Sequence, residues 1–418
     1  MEQLPDDVLV AVMQFLDVED LLACRLVCKR FSSLVLHRDV WRHRSLDDDD
    51  WRRSSRVGAV LRLAPCLDKL VVSARSLAVT TTRCAVATLK LLTASLRGRL
   101  DVESDTLALA FALALRNQES LGRLRRLQLE LPTFRSAPAI DALLGTVALC
   151  SGLKSLEVLT NLPKLIYPVQ HGPPMPSLTH FRCSVDKNSA SFVHTILAGH
   201  AATLEEVNLV IDAGLGVVET SRTAELLGTM PRIRSLRCQD FTATTEFCKM
   251  LVEALTSCGR SHLERLALLE VEAVRPLLRA LPLLPALRQL DLDAKPNDEL
   301  LKSITTASAL TLLEVALHEG GQCPHAWIHR DAVKTTLAAN PSLHIQLWCN
   351  SDDKCVPQDC ETCVVGCHQE VQWDEVRRIG LYSHDPDMCP SPEDHTDDTD
   401  WQRSYYQTPD VPCTWIRF

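Results

Sequence analysis

Apolar residues recur along most of the chain in one short pattern, Leu-x-x-Leu-x-Leu, in which other apolar residues can replace each leucine. Clear copies begin at residues 124, 153, 178, 204, 233, 263, 287 and 310, so successive starts are 29, 25, 26, 29, 30, 24 and 23 residues apart. An earlier copy covers residues 67–72, and a weaker copy ends at Leu343 and Ile345. Alternating apolar and polar positions over so short a run predict a strand with one buried face.

Two placements compete for one further copy between residues 72 and 124. Val86, Leu89 and Leu91 fit the pattern, and Leu100 with Val102 fits it as well. The segments between the strands predict helices, because their apolar residues fall at steps of three and four. Such segments cover Asp105–Arg116, Ala139–Cys150, Ser191–Ala198 and Thr245–Ser257.

This repeated strand and helix resembles leucine-rich repeats, whose units have a similar length. One unit cannot bury its own apolar face, so neighbouring units stack and share a core. The resemblance implies an α/β solenoid, an irregular leucine-rich-repeat horseshoe over residues 60–348. Eight residues after the first leucine, where such repeats usually carry Asn or Cys, only Asn161 fits; the equivalent sites hold Pro132, Asp186, Asp212, Phe241, Val271 and Lys295. A generic leucine-rich α/β domain is the alternative.

The first 46 residues follow a helical pattern instead. Pro5 suits the first position of a helix, where a missing N–H costs nothing. The apolar residues from Val8 to Leu16 recur at helical spacing, and Asp17 can cap a second helix. A third helix begins near Val27. Three short helices bury too little surface to be secure alone, so a partner is expected to cover the remaining apolar face.

The same stretch resembles an F-box, the module that docks a substrate receptor on the Skp adaptor of an SCF-type ubiquitin ligase. The resemblance rests on Leu4-Pro5-Asp6-Asp7-Val8-Leu9, Phe15-Leu16, Leu21-Leu22, Val27-Cys28, Phe31 and Trp41. It implies a small all-α domain and a set of adaptor-docking and helix-core positions. That set comprises Leu4, Pro5, Val8, Leu9, Phe15, Leu16, Leu21, Leu22, Val27, Cys28, Phe31 and Trp41. The alternative is a helical cap on the repeats without any ligase role.

Changes in composition divide the chain into four parts. The F-box-like helices cover residues 1–46, and a charged linker covers residues 47–59, which contain Asp47–Asp50 followed by arginines. The repeats cover residues 60–348. A Cys-rich C-terminal segment, expected to cap the last repeats, covers residues 349–418, the last 70 residues, which hold seven of the 17 cysteines.

Polar residues between the repeated leucines should face outward from the strands, on the concave surface. Solvation explains charges there, and so does recognition of an extended protein substrate. The candidate substrate-binding residues are Arg125, Arg126, His180, Arg182, Arg234, Arg237, Arg265 and Arg288.

The C-terminal segment contains Cys360-x-x-Cys363, followed by Cys367 and His368. Two thiolates at this spacing can reach one tetrahedral zinc ion, so Cys360, Cys363, Cys367 and His368 are candidate zinc ligands. A loop-rich cap with free thiols is the alternative. A third interpretation of function makes this segment a metal-dependent binding module.

Charge and motifs narrow the class of protein. A net charge of −9 disfavours a general nucleic-acid surface, and the longest apolar run, the nine residues from Leu107 to Leu115, is far too short to cross a membrane. No secretory signal is expected, so the chain should lie in the cytoplasm, the nucleus or both, with reduced cysteines. No phosphate-binding loop or nucleophile motif is visible. The sequence therefore predicts a non-catalytic substrate receptor of a Skp–cullin ligase, with a leucine-rich binding scaffold as the alternative.

Overall fold

A computed structural model describes most of the chain as two compact units, Met1–Leu204 and Glu205–Phe418. The described residues are 4–47, 54–73, 77–92, 104–130, 137–159, 162, 172, 175–212, 214–240, 246–257, 262–269, 275–292, 298–304, 309–317, 323–349, 364–365, 378–385, 389 and 413–418.

Four short helices open the first unit: α1 (Asp6–Met13), α2 (Val18–Cys24), α3 (Lys29–Val35) and α4 (Arg38–Trp41). Asp17 caps α2 as predicted, because its Oδ1 accepts a 2.8 Å hydrogen bond from the Asp20 N–H. Pro5 differs from the prediction. It precedes α1 as the capping residue, and its carbonyl accepts the first helical hydrogen bond, from the Leu9 N–H.

The rest of the first unit alternates strands and helices around a parallel sheet. Its strands are β1 (Ser45–Asp47), β2 (Cys66–Ser73), β3 (Ala85–Leu92), β4 (Arg126–Glu130), β5 (Ser155–Val158) and β6 (His180–Val185). Each strand pairs with the next in chain order. The helices are α5 (Ser54–Leu63), α6 (Ser104–Ser120), α7 (Ala137–Ala148) and α8 (Ala190–His200), with a 3-10 turn at Leu77–Thr80.

The predicted linker over residues 47–59 needs a correction. Helix α5 already begins at Ser54, and Val57 and Val60 on it are buried. Leu46, near the predicted boundary, lies on β1 and pairs with Leu70 of β2. Apolar residues three apart on a helix therefore override the charged composition of this stretch.

The second unit continues the same alternation. Its strands are β7 (Glu206–Ile211), β8 (Ser235–Asp240), β9 (Arg265–Leu269), β10 (Gln289–Leu292), β11 (Leu312–Leu317) and β12 (His344–Cys349). Its helices are α9 (Val217–Gly228), α10 (Glu246–Ser257), α11 (Arg275–Ala280), α12 (Asp298–Ile304), α13 (Pro324–Ile328) and α14 (Asp331–Ala339), with a 3-10 turn at Leu281–Leu283. Strands β7 to β12 pair in parallel. Two more strands follow: β13 (Arg378–Tyr382) pairs antiparallel to β12, and β14 (Thr414–Arg417) pairs parallel to β13.

The repeated apolar positions form the core, as the pattern predicts. In the first unit Leu89, Leu127, Leu156 and Phe181 lie side by side in the pairing register, and all four are buried. The equivalent row in the second unit is also buried and comprises Val207, Leu236, Leu266, Leu290, Leu313 and Ile345. Val86, Leu89 and Leu91 lie on β3, whereas the competing Leu100 and Val102 fall outside the described residues. The four predicted helices correspond to α6, α7, α8 and α10; α7 ends at Ala148, two residues before the predicted end, and α10 begins at Glu246.

Among the helices that the structure describes, none combines the length and apolar character that crossing a bilayer requires.

Candidate docking and binding surfaces

An exposed apolar stripe runs along one side of α1. Leu4, Val8, Val12 and Phe15 are spaced by four, four and three residues, which places them on one helical face. All four are exposed, and Phe15, just past the end of the helix, keeps 90% of its surface accessible. Leu26 and Val27, in the turn between α2 and α3, are exposed as well. Exposed apolar residues at helical spacing are typical of a surface that a partner covers.

The structure separates the predicted F-box positions into surface and core. Leu4, Pro5, Val8, Phe15, Val27 and Cys28 are exposed, whereas Leu16, Leu22 and Phe31 are partly buried. Leu9, Leu21 and Trp41 are buried, so their assignment to adaptor contact is corrected: they hold the four helices together. Val12 and Leu26 were missing from the predicted docking set. The spacing of Val12 between Val8 and Phe15 was the signal that could have found it.

Hydrogen bonds hold this stripe in place. Arg30 of α3 donates to Asp6 Oδ1 from Nε at 2.8 Å and from Nη2 at 2.6 Å, and also donates to the Leu4 carbonyl. At the other end of α1, Arg44 Nη2 donates to the carbonyls of Met13 (2.9 Å) and Gln14 (3.1 Å). Burial lowers the pKa of Arg44, and the carboxylate of Asp17 opposes this shift. Both ends of α1 are therefore fixed by arginines from later in the domain.

Polar side chains line the other face of the sheet in the first unit. One row in the pairing register contains Lys90, Gln128, Glu157 and Arg182, and the row beside it contains Lys69, Thr88, Arg126, Ser155 and His180. Arg125, Arg126 and His180 are exposed, and Arg182 is partly exposed next to Glu157. Four predicted substrate-binding residues thus lie on or beside one accessible, mainly basic face.

The polar face of the second unit is only partly accessible. Arg265 forms a 2.8 Å salt bridge with Glu206, whereas Arg234 and Arg288, which precede β8 and β10, are exposed. Arg234 lines a depression of about 400 Å³ together with Arg232, His262, Glu205 and Glu264.

Arg237 contradicts the prediction of a surface charge, because only 6% of it is exposed. In the register it lies between Asn208 of β7 and Ala267 of β9, so a strand flanks it on each side. Neighbouring strands are only about 4.8 Å apart, so a long side chain there is enclosed by side chains of the same face. The outward direction of a strand residue therefore does not ensure that it is accessible.

Towards the end of the second unit the polar face is buried. Glu314, Gln346 and Arg378 are all buried on neighbouring strands. Arg378 donates to Gln346 Oε1 from Nη2 at 2.6 Å and from Nε at 3.1 Å, and its guanidinium lies 5.1 Å from the ring of Trp348. A partner of this face could therefore contact β7 to β10, but not these polar groups of β11 to β13.

The four predicted zinc ligands, Cys360, Cys363, Cys367 and His368, lie outside the described residues. Several other thiols are ordinary core groups: Cys150, Cys183, Cys238 and Cys248 are buried. Burial, together with the nearby Glu119 carboxylate, raises the pKa of Cys150 to about 12. A different group, His344, His384 and Cys389, brings potential metal-binding atoms within 4.8 Å of one another.

Comparison with known proteins identifies the N-terminal region. Residues 1–47 match the family described as F-box-like, so they form an F-box-like domain. No curated protein matches this sequence. Among solved structures, a chain from "Crystal structure of TLR13-ssRNA13 complex" matches with 14% identity and a TM-score of 0.36. The match covers 70% of the present chain and 41% of that chain, so this protein spans about two-fifths of the length of that structure.

Proposed function

We propose that this protein is the substrate-recognition subunit of an SCF-type ubiquitin ligase. The F-box-like domain at residues 1–47 docks on the Skp adaptor, and through it on the cullin. The observation that carries the proposal is the exposed stripe of Leu4, Val8, Val12 and Phe15 in that domain. Like other F-box proteins, this protein acts as a non-catalytic adaptor in the cytoplasm or nucleus.

The energetics of the stripe favour a partner. Covering a large apolar side chain stabilises a complex by roughly 1.5–3 kcal/mol relative to leaving it in water. Phe15 is the most exposed of the four side chains, and aromatic side chains commonly dominate the binding energy of an interface. Phe15 is therefore the principal contact with the adaptor.

We infer that the strand–helix units are leucine-rich repeats and that their polar face binds a protein substrate. In the first unit this face presents the basic residues Lys69, Lys90, Arg126 and Arg182 and the acidic residues Asp47, Glu130 and Glu157, and the exposed Asp68 adjoins Lys69 on β2. Arginine pairs well with carboxylate or phosphate groups in two-point contacts. An acidic segment of a substrate protein fits this face best. Tethering it beside the ubiquitin-conjugating enzyme raises its effective concentration there.

One observation favours a second candidate, a leucine-rich binding scaffold without a ligase role. The chain leaves the four helices directly into β1, whose residues Ser45–Asp47 pair with β2. Helices joined to a sheet in this way can serve as the polar-surfaced cap that a repeat domain needs at its end. The exposed apolar stripe argues against this role, because a cap should carry a polar outer surface.

Co-expression of the full chain with the Skp adaptor tests the two functions. A one-to-one complex is expected for the wild type, and Phe15→Asp should abolish it by placing a charge in an apolar contact. Leu113→Asp is the matched control, because Leu113 is also an exposed apolar residue but lies on α6. If the folded wild type forms no complex, the scaffold function is supported instead. If Phe15→Asp binds the adaptor as well as Leu113→Asp does, Phe15 is not part of the docking surface.

A further inference from the structure

We propose that His344, His384 and Cys389 bind one zinc ion in the second unit. The ligand atoms of these three residues all lie within 4.8 Å of one another. Two imidazoles and a thiolate suit zinc and do not suit magnesium or calcium, which prefer oxygen ligands. These three residues are not among those of the Cys360-x-x-Cys363 motif, and the proposal goes beyond the proposed ligase function.

A second contact prepares His344 for this role. Its Nδ1 lies 3.0 Å from the carbonyl oxygen of Thr311, so the proton resides on Nδ1, which donates to that carbonyl. The lone pair of the imidazole is then on Nε2, the atom that faces Cys389. A backbone carbonyl that fixes the tautomer of a histidine is a recurrent feature around metal ligands.

The distance between two of the ligand atoms agrees with a tetrahedral ion. His344 Nε2 and Cys389 Sγ are 3.4 Å apart. In tetrahedral zinc sites the Zn–S distance is about 2.3 Å and the Zn–N distance about 2.05 Å, which separates the two ligand atoms by about 3.5 Å. The same separation suits a hydrogen bond from the Cys389 thiol to the imidazole, so the metal content has to be measured.

The surroundings exclude water from one side of the site. His344 is fully buried. Its ring centroid is 4.7 Å from that of His384, with the rings nearly perpendicular, and 5.8 Å from that of Trp415. Tyr382 packs against both His384 and Trp415. An aromatic shell of this kind limits solvent access to a metal.

The position of the ligands indicates what the metal does. His344 begins β12, His384 lies two residues after β13, and Cys389 follows it along the chain. Zinc would therefore join the start of β12 to the chain beyond β13. Three protein ligands leave the fourth tetrahedral position for water or a further side chain.

The test is the metal content of the full-length chain, purified without a metal-affinity step and measured by mass spectrometry. Cys389→Ser and His384→Ala should each contain one zinc ion fewer per chain than the wild type. Cys360→Ser/Cys363→Ser is the control for the other motif and should keep this ion. A wild type without zinc, or a loss of zinc in the control alone, would overturn the proposal.

X-ray absorption of the zinc-loaded wild type keeps the test decisive even if a variant fails to fold. Metal bound by His344, His384 and Cys389 has one sulfur neighbour, whereas metal bound only by Cys360, Cys363, Cys367 and His368 has three. An average of one sulfur for one bound ion supports the proposal; three sulfurs contradict it. If two ions bind, the average should be two sulfurs per zinc, and Cys389→Ser should leave one ion with three.

Discussion

The guanidinium of Arg44 lies 5.8 Å from the centre of the Trp41 ring, in the geometry of a cation–π contact. The same guanidinium donates to the Val40 carbonyl at 2.7 Å and to the Met13 carbonyl at 2.9 Å. The backbone carbonyl of Arg44 in turn accepts hydrogen bonds from the N–H groups of Asp68 and Lys69. One residue therefore connects the end of α1, the core tryptophan of the F-box-like domain and the first strands of the sheet.

Replacing Arg44 should weaken the F-box-like domain. Arg44→Met keeps the length of the side chain but leaves the carbonyls of Met13 and Val40 without their donor, which should cost about 1–3 kcal/mol of unfolding free energy. Arg42→Met is the matched control, since Arg42 is exposed and pairs only with groups on the surface. Urea unfolding followed by tryptophan fluorescence measures the difference. Equal stability of the two variants would show that Arg44 is not a structural connection.

The start of α1 can be altered without unfolding it. Leu4→Ala with Pro5→Ala should abolish binding to the Skp adaptor, because both side chains are exposed on the proposed docking surface. The carbonyls of Leu4 and Pro5, which accept hydrogen bonds from Arg30 and Leu9, remain in this variant. Its circular dichroism and thermal unfolding should therefore match those of the wild type. Unchanged co-purification of the adaptor would remove these two residues from the docking surface.

The ring of Trp415 leaves no space for a side chain at position 380. The two residues are opposite each other on β13 and β14, and a Cβ at position 380 would run into that ring. Gly380→Ala should therefore displace β14, lower the unfolding free energy and change the fluorescence of Trp415. Gly58→Ala on α5 is the control: nothing lies within 4 Å of its added Cβ, and alanine should stabilise the helix by about 0.5–1 kcal/mol. A Gly380→Ala variant as stable as Gly58→Ala would contradict the close packing.

Two arginines only three residues apart should behave differently. Arg237 is buried, so Arg237→Met should lower the unfolding free energy by about 1–3 kcal/mol. Arg234 is exposed, so Arg234→Met should leave stability within about 0.5 kcal/mol of the wild type. Chemical unfolding of both variants is the measurement. If the chain binds a substrate, Arg234→Met should lower the affinity for that substrate directly. Arg237→Met should affect binding only by destabilising the fold.

The strands β2 to β12 could be predicted because each is a short alternating run with its apolar residues in the core, as Leu127 and Leu129 show. No copy of the pattern covers β1, β13 or β14, so the sequence did not predict them. Helix α5 was harder to predict. Arg52, Arg53 and Arg56 make this stretch look like a charged linker, although Val57 and Val60 are three residues apart, as on one face of a helix. The alternation also predicts only the direction of a side chain. Arg237 points outward and is buried, since its exposure depends on side chains from other strands.

The metal-binding candidates show a second limit. His384 and Cys389 lie 40 and 45 residues after His344 along the chain. No local spacing connects His344 to the other two residues, and the pairing of β12 with β13 brings it close to them. The F-box-like stripe is different, because Leu4, Val8, Val12 and Phe15 follow one helix and their spacing alone places them on one face.

His200 should make the stability of the first unit depend on pH. Its Nδ1 accepts hydrogen bonds from the N–H groups of Ser177 (3.0 Å) and Leu178 (3.3 Å), and burial lowers its pKa from 6.5 to about 4. Between pH 6.5 and 4 the unfolded chain binds a proton that the folded chain does not. The unfolding free energy should therefore fall as the pH is lowered through this range, at a limit of about 1.4 kcal/mol per pH unit.

The variant His200→Gln isolates this contribution. Glutamine can still accept from a backbone N–H but does not titrate, so the unfolding free energy of this variant should fall less steeply between pH 6.5 and 4 than that of the wild type. His180→Gln, at an exposed position, is the control for the exchange of a histidine for glutamine. Urea unfolding at a series of pH values measures all three chains, and the carboxylates that also titrate near pH 4 cancel in the comparison. Parallel curves for the wild type and His200→Gln would show that His200 is protonated as easily in the folded chain as in the unfolded chain.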